Sequence, residues 1–97
     1  MFTGTLAVDL LLGDVRSLKQ KRAVVRPIVA ELRRKYEVSA AEAGHLDLHR
    51  RALVGVAVVA ADAGHCTTVL DACERLVASR PEVEVLSAHR QLFGEDD

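Results

Sequence analysis

The chain has 97 residues, 49% of them hydrophobic and 28% charged, with a net charge of −1 at pH 7. That length and balance suit one folded domain with a single core and exclude a disordered chain. Neither an apolar run of about 18 residues nor a basic segment ahead of an apolar stretch is present, so no membrane helix or signal peptide is expected.

Phe2 to Leu12 alternates, with Leu6, Val8, Leu10 and Leu12 on one side and Thr3, Thr5, Ala7, Asp9 and Leu11 on the other. A period of two with one apolar face predicts a first strand, ended by Gly13-Asp14. Ser17 with Gln20 three residues on is a capping box: the hydroxyl accepts the N3 amide proton, and the glutamine reaches back to the cap. Leu18, Val25, Ile28, Val29, Leu32 and Tyr36 then recur at helical spacing and mark one buried face. Pro27 lies inside this helix and predicts a kink near Ala23. Lys21 falls on the apolar arc but in the first turn, where it is expected to snorkel.

Glu37 to Gly44 reads as a weaker, alanine-rich strand, and His45 to Arg51 as a polar connection. Ala52 to Ala61 is a nearly continuous apolar run, rich in β-branched residues around Gly55, and predicts a central strand. Asp62 is the N-cap candidate of a second helix carrying Cys66, Val69, Leu70, Cys73, Leu76 and Val77 at helical spacing, closed by Pro81. The two cysteines read as small buried hydrophobes, too far apart along a helix for a disulfide, and two reduced thiols fit a cytoplasmic protein. In the last strand Val83, Val85 and Ser87 alternate with Glu84, Leu86 and Ala88, and the Gly94 to Asp97 tail is expected to fray.

The order β-α-β-β-α-β predicts a single α+β domain over residues 1–97 of the ferredoxin-like, split β-α-β type. Two right-handed crossovers place both helices on one face of a four-stranded antiparallel sheet, with the first strand between the third and fourth. The outer sheet face is then apolar along its middle, which predicts a homodimer built on that face or on a sheet edge.

Several stretches together resemble the YlxP-like family of small bacterial proteins: Ser17-Leu-Lys-Gln-Lys-Arg22, Val38-Ser39-Ala40-Ala41-Glu42, Asp47-Leu48, and Arg51 to Val59. The resemblance spans roughly Phe2 to Leu92, and its most specific part is Ser-Leu-Lys-x-Lys-Arg. It implies a ferredoxin-like fold and a genomic association with translation and ribosome-maturation factors, and no established reaction. His49 departs from the family pattern, where an aromatic residue, usually Trp, follows Asp-Leu.

Charge carries the main functional signal. Of 13 Lys and Arg, 8 lie between Arg16 and Lys35, where Glu31 is the only acid. Lys19, Arg22, Arg26 and Arg33 fall within about 60° of one another on a helix, beside its apolar face. Arg16, Lys19, Lys21, Arg22, Arg26 and Arg33 are therefore the candidate residues for binding an anion or nucleic acid, and RNA or the ribosome is the expected partner. Base stacking on the sheet is not expected, because the only aromatics are Phe2, Tyr36 and Phe93.

The alternative is a homodimeric interaction module whose basic helix docks an acidic protein. Catalysis is not expected, and no cofactor motif is present. A remote alternative, acyl-phosphate hydrolysis, has a loop arginine in Arg16, but the chain contains no asparagine and lacks the acylphosphatase loop ending. Asp9 and Glu42 are not expected to meet as an acid pair. His45, Asp47 and His49 share a side in extended backbone and are weak metal-ligand candidates; no metal is expected there.

Overall fold

The computed structural model describes residues 1–95. The elements are β1 (Phe2–Leu12), α1 (Leu18–Tyr36), β2 (Ser39–Gly44), β3 (Arg51–Ala60), α2 (Ala63–Ala78) and β4 (Val83–Phe93). All strand pairings are antiparallel, in the order β2-β3-β1-β4. This is the ferredoxin-like arrangement, with β1 between β3 and β4 as its pattern predicts.

The alternation in β1 is realised in full: Leu6, Val8, Leu10 and Leu12 are buried, and the residues between them are half-buried on the opposite face. In β3, Ala52, Val54, Val56 and Val58 turn the same way, opposite β1 in register (Val8↔Val54, Leu6↔Val56). Val25, Ile28, Val29 and Leu32 of α1 and Cys66, Leu70, Cys73, Leu76 and Val77 of α2 close over them as one core. A buried Leu or Val side chain contributes roughly 1.5–3 kcal/mol, so this layer is what holds both helices to the sheet. Gly4 lets α2 approach closely: a Cβ there would lie 2.9 Å from Leu70 Cδ1 and 3.3 Å from Cys66 Cβ.

The caps form where the sequence places them. Ser17 Oγ accepts from Gln20 N at 3.1 Å, and Asp62 Oδ1 accepts from His65 N at 2.7 Å. Gln20 Oε1 accepts not from the cap residue but from Arg16 N, one residue earlier, at 2.6 Å. α1 runs unbroken through Pro27. Ala23 and Pro27 are both exposed, so the helix carries the proline on its solvent side, where a lost i→i−4 bond is cheapest.

Three strands differ from expectation in bounds or register; β3 runs from Arg51 to Ala60 rather than from Ala52 to Ala61. β2 begins at Ser39 rather than Glu37, because Glu37 ends α1 in the left-handed conformation (φ 51) and Val38 is buried. In β4 a register shift opposite Asp9 and Leu10 inserts Leu86, so the predicted alternation reverses there. Val83 and Val85 face the helices, but Ser87 lies opposite Asp9 on the outer face, and Ala88 and Arg90 take the helix side opposite Val8 and Leu6. The expected frayed tail lies partly outside the described residues.

Candidate nucleic-acid interface

Lys19 and Lys21 are two positions apart, about 200° around a helix, so they face opposite ways. Lys19 is exposed, whereas Lys21 is 1% exposed and is the only buried charged residue among those described. The expected snorkelling of Lys21 does not occur. Its Nζ lies 2.6 Å from Glu42 Oε2 and donates to the main-chain oxygens of His45 at 2.6 Å and Leu48 at 2.8 Å. The two carbonyls accept its hydrogen bonds and the Glu42 carboxylate supplies the counter-charge, which is what burying a lysine requires. Lys21 is thus a strut under the β2–β3 loop and does not contribute to the exposed stripe.

Glu42 can reach Lys21 because it lies opposite Val54 on the helix side of β2. Asp9 lies on the other sheet face, and the two acids do not meet. The second attachment of the same loop is built there: Arg51 Nη2 donates to Asp9 Oδ1 at 2.8 Å and Oδ2 at 2.7 Å, and His45 Nε2 lies 3.4 Å from Asp9 Oδ2. The hydrogen bond from Arg51 holds the Asp9 carboxyl below its usual range, against the opposing pull of partial burial. Arg50 Nε adds bonds to the oxygens of Leu12 and Gly13. Sequence reasoning missed this cluster because it needs the β1–β3 register; the signal was an acid in β1 and a base at the start of β3.

The loop does not gather the metal-ligand candidates. His45 turns to Asp9 while Asp47 and His49 are exposed, and among the described residues no group of three His, Cys, Asp or Glu is placed to hold a metal. Cys66 and Cys73 are free and buried, and desolvation raises the Cys73 thiol, leaving it protonated and unreactive.

The remaining cations of the basic segment separate by partner. Arg16 is 3.5 Å from Asp14, and Glu31 takes Arg34 at 3.8 Å, Lys35 at 3.6 Å and Arg80 of the α2–β4 turn. Arg33 Nε donates to Ala40 O at 2.9 Å, a neutral acceptor that leaves its charge uncompensated. Lys19, Arg22 and Arg26 form neither an ion pair nor a side-chain hydrogen bond among the described residues, and all three are exposed. Arg22, Arg26 and Arg33 border a groove of about 480 Å³ between α1 and the β2 edge. The outer sheet face carries instead a shallow trough of about 350 Å³ among Thr5, Ala7, Gly55, Ala57 and Ala41, with His89 on its β4 side and no Phe, Tyr or Trp in its lining.

Residues 3–90 match the model of a family described as protein of unknown function (DUF503). The chain is also similar to the uncharacterized protein YlxP of Bacillus subtilis (strain 168), 31% identical over 81 residues that cover 84% of this chain and 88% of YlxP. No helix among the described residues is long and apolar enough to cross a membrane.

Proposed function

From a chain that belongs to the DUF503 family, and from the cations its helix leaves unpaired, we propose a non-catalytic binding protein that holds RNA, in a ribosome-associated role, through the exposed flank of α1. One observation carries this reading: Lys19, Arg22 and Arg26 form no ion pair among the described residues, while Arg34, Lys35 and Arg80 share Glu31 and Arg90 is held by Asp71. From Lys19 to Arg33 the flank runs about 21 Å along the helix, long enough to meet several phosphates of one backbone. The fold offers shape and phosphate contact and little base readout, since the centre of its outer sheet face carries no Phe, Tyr or Trp and only His89 as a ring.

Co-sedimentation with ribosomal subunits at graded salt tests this. Binding is expected to weaken steeply as salt rises, and Lys19→Glu/Arg22→Glu/Arg26→Glu is expected to abolish it in a folded protein. Salt-independent binding, or wild-type binding by the triple variant, overturns it.

The second reading, a homodimer, is favoured by the outer face. Three strands of ten or eleven residues and one of six, about 4.8 Å apart, present roughly 550 Å² per copy, near the lower bound of a stable interface. Asp9 is balanced there by Arg51, so a second copy meets little like charge. Sedimentation equilibrium at high micromolar concentration checks it; a clean 10.5 kDa monomer rules it out.

A further inference from the structure

The free cations of α1 border a recess and not a convex ridge. Arg22, Arg26 and Arg33 line it from the helix, Glu42 from β2, and Val25 and Ala30 lie between them. We propose that this recess seats a single nucleotide, free or as one unit of an unpaired RNA strand, with its phosphate on the arginines and its base at Glu42. The inference rests on the phosphate-binding reading above and specifies which form of nucleic acid the site takes.

Size comes first. About 480 Å³ lies within the range of small-molecule sites and admits one nucleotide, but not a duplex, whose phosphates would meet only the outer rim. Arg22 and Arg26 are one turn apart, about 6 Å along the axis, with Arg33 about 10.5 Å further on. Guanidinium groups so placed can take a phosphate on the rim while another lies flat against a base.

Glu42 discriminates between anions. One of its oxygens is committed to Lys21, and the other forms no hydrogen bond among the described residues. A simple polyanion gains from the three arginines but nothing from this carboxylate, whose charge Lys21 already balances. A nucleotide gains from both, because its base offers amino or imino donors to a carboxylate acceptor. The strand edge adds to this. Since Ala40 O is turned out to Arg33, alternation along the strand puts the main-chain N–H of Glu42 on the same open edge, facing the recess. Ala30 and the aliphatic stems of the arginines supply the apolar contact that a base face needs.

The test fills the recess without changing its charge. Ala30 is exposed on α1, and Ala30→Phe places a ring into the space, with Ala30→Leu as a second variant that fills it with a smaller side chain. Fluorescence anisotropy is read with a labelled eight-nucleotide single-stranded RNA and with an RNA hairpin stem, and melting temperatures confirm that both variants fold. Each variant is expected to weaken single-strand binding at least tenfold and leave stem binding unchanged, and AMP or GMP is expected to compete better than inorganic pyrophosphate. Single-strand binding unchanged in both folded variants, or pyrophosphate competing as well as a nucleotide, overturns the inference. Tight binding of an acidic extended peptide in place of the oligonucleotide also overturns it, and assigns the open edge to a protein strand. If wild type binds nucleotides but neither stems nor ribosomal subunits, the recess stands and the ribosome reading fails. If the glutamate triple variant loses all RNA while the filled variants keep it, the recess fails alone.

Discussion

The two edges of the sheet use arginine in opposite ways. At the β4 edge Arg90 reaches over α2 and is held by Asp71 at 2.6 Å and Glu74 at 3.0 Å, a closed set of charges. At the β2 edge Arg22 and Arg26 stand along α1 with no ion pair among the described residues, and Arg33 donates to a neutral carbonyl. Composition counts these residues alike, but a paired cation is an internal fastener while an unpaired one leaves its charge for something else. The same contrast runs through one motif, where Lys19 and Lys21 of Ser17-Leu-Lys-Gln-Lys-Arg22 are respectively outside and inside the molecule.

The largest effect is expected on the inside. Lys21→Met strands the Glu42 carboxylate beneath α1 and releases the His45 and Leu48 carbonyls; removing one partner of a buried pair costs about 3–5 kcal/mol. Urea unfolding measures this, and Lys21→Met/Glu42→Leu is expected to regain most of the loss. A Lys21 variant as stable as wild type would make the two lysines equivalent and dissolve the contrast.

On the outside, Lys19→Gln, Arg22→Gln and Arg26→Gln are each expected to lower the salt dependence of RNA binding by about one unit of log–log slope. Their stability is expected to change by no more than about 0.5 kcal/mol. Arg90→Gln is the control from the other edge: it loses two partly exposed ion pairs, about 1 kcal/mol or less, with no change in slope. Equal slopes for Arg22→Gln and Arg90→Gln would erase the difference between the edges.

Ser17→Ala sits between the two groups. It removes the hydroxyl that accepts Gln20 N–H and is expected to cost about 1 kcal/mol in thermal or urea unfolding, while the folded protein binds RNA as before.

The smallest effect concerns the outer attachment of the loop. The folded-state carboxyl of Asp9 is held below its ordinary value, so its contribution is complete above the unfolded carboxylate range near pH 4 and is lost as pH falls through the lower folded value. Asp9→Asn is therefore expected to lose less stability than wild type between about pH 5 and pH 2, by under about 1 kcal/mol, in melting curves across that range.

Periodicity and caps determined the fold by themselves. An alternating Leu6 to Leu12, a helical recurrence from Leu18 to Tyr36 and a β-branched run in β3 admit one burial pattern each, because burying apolar surface outweighs other local choices. Ser17 and Asp62 start their helices for a similarly local reason: an oxygen three residues ahead of a free N–H needs nothing from the rest of the chain. The clustering of cations in α1 was legible as well. Which of them remain free was not, because the acids that neutralise Lys21, Arg51 and Arg90 lie 21, 42 and 16–19 residues away in sequence and arrive only through strand register and helix docking. The reversal of β4 at Leu86 is of the same kind, since a bulge is decided by the strand opposite. Tertiary structure alone set Lys21 in the interior and made a recess beside Arg22, since burial and pairing depend on what the fold brings alongside.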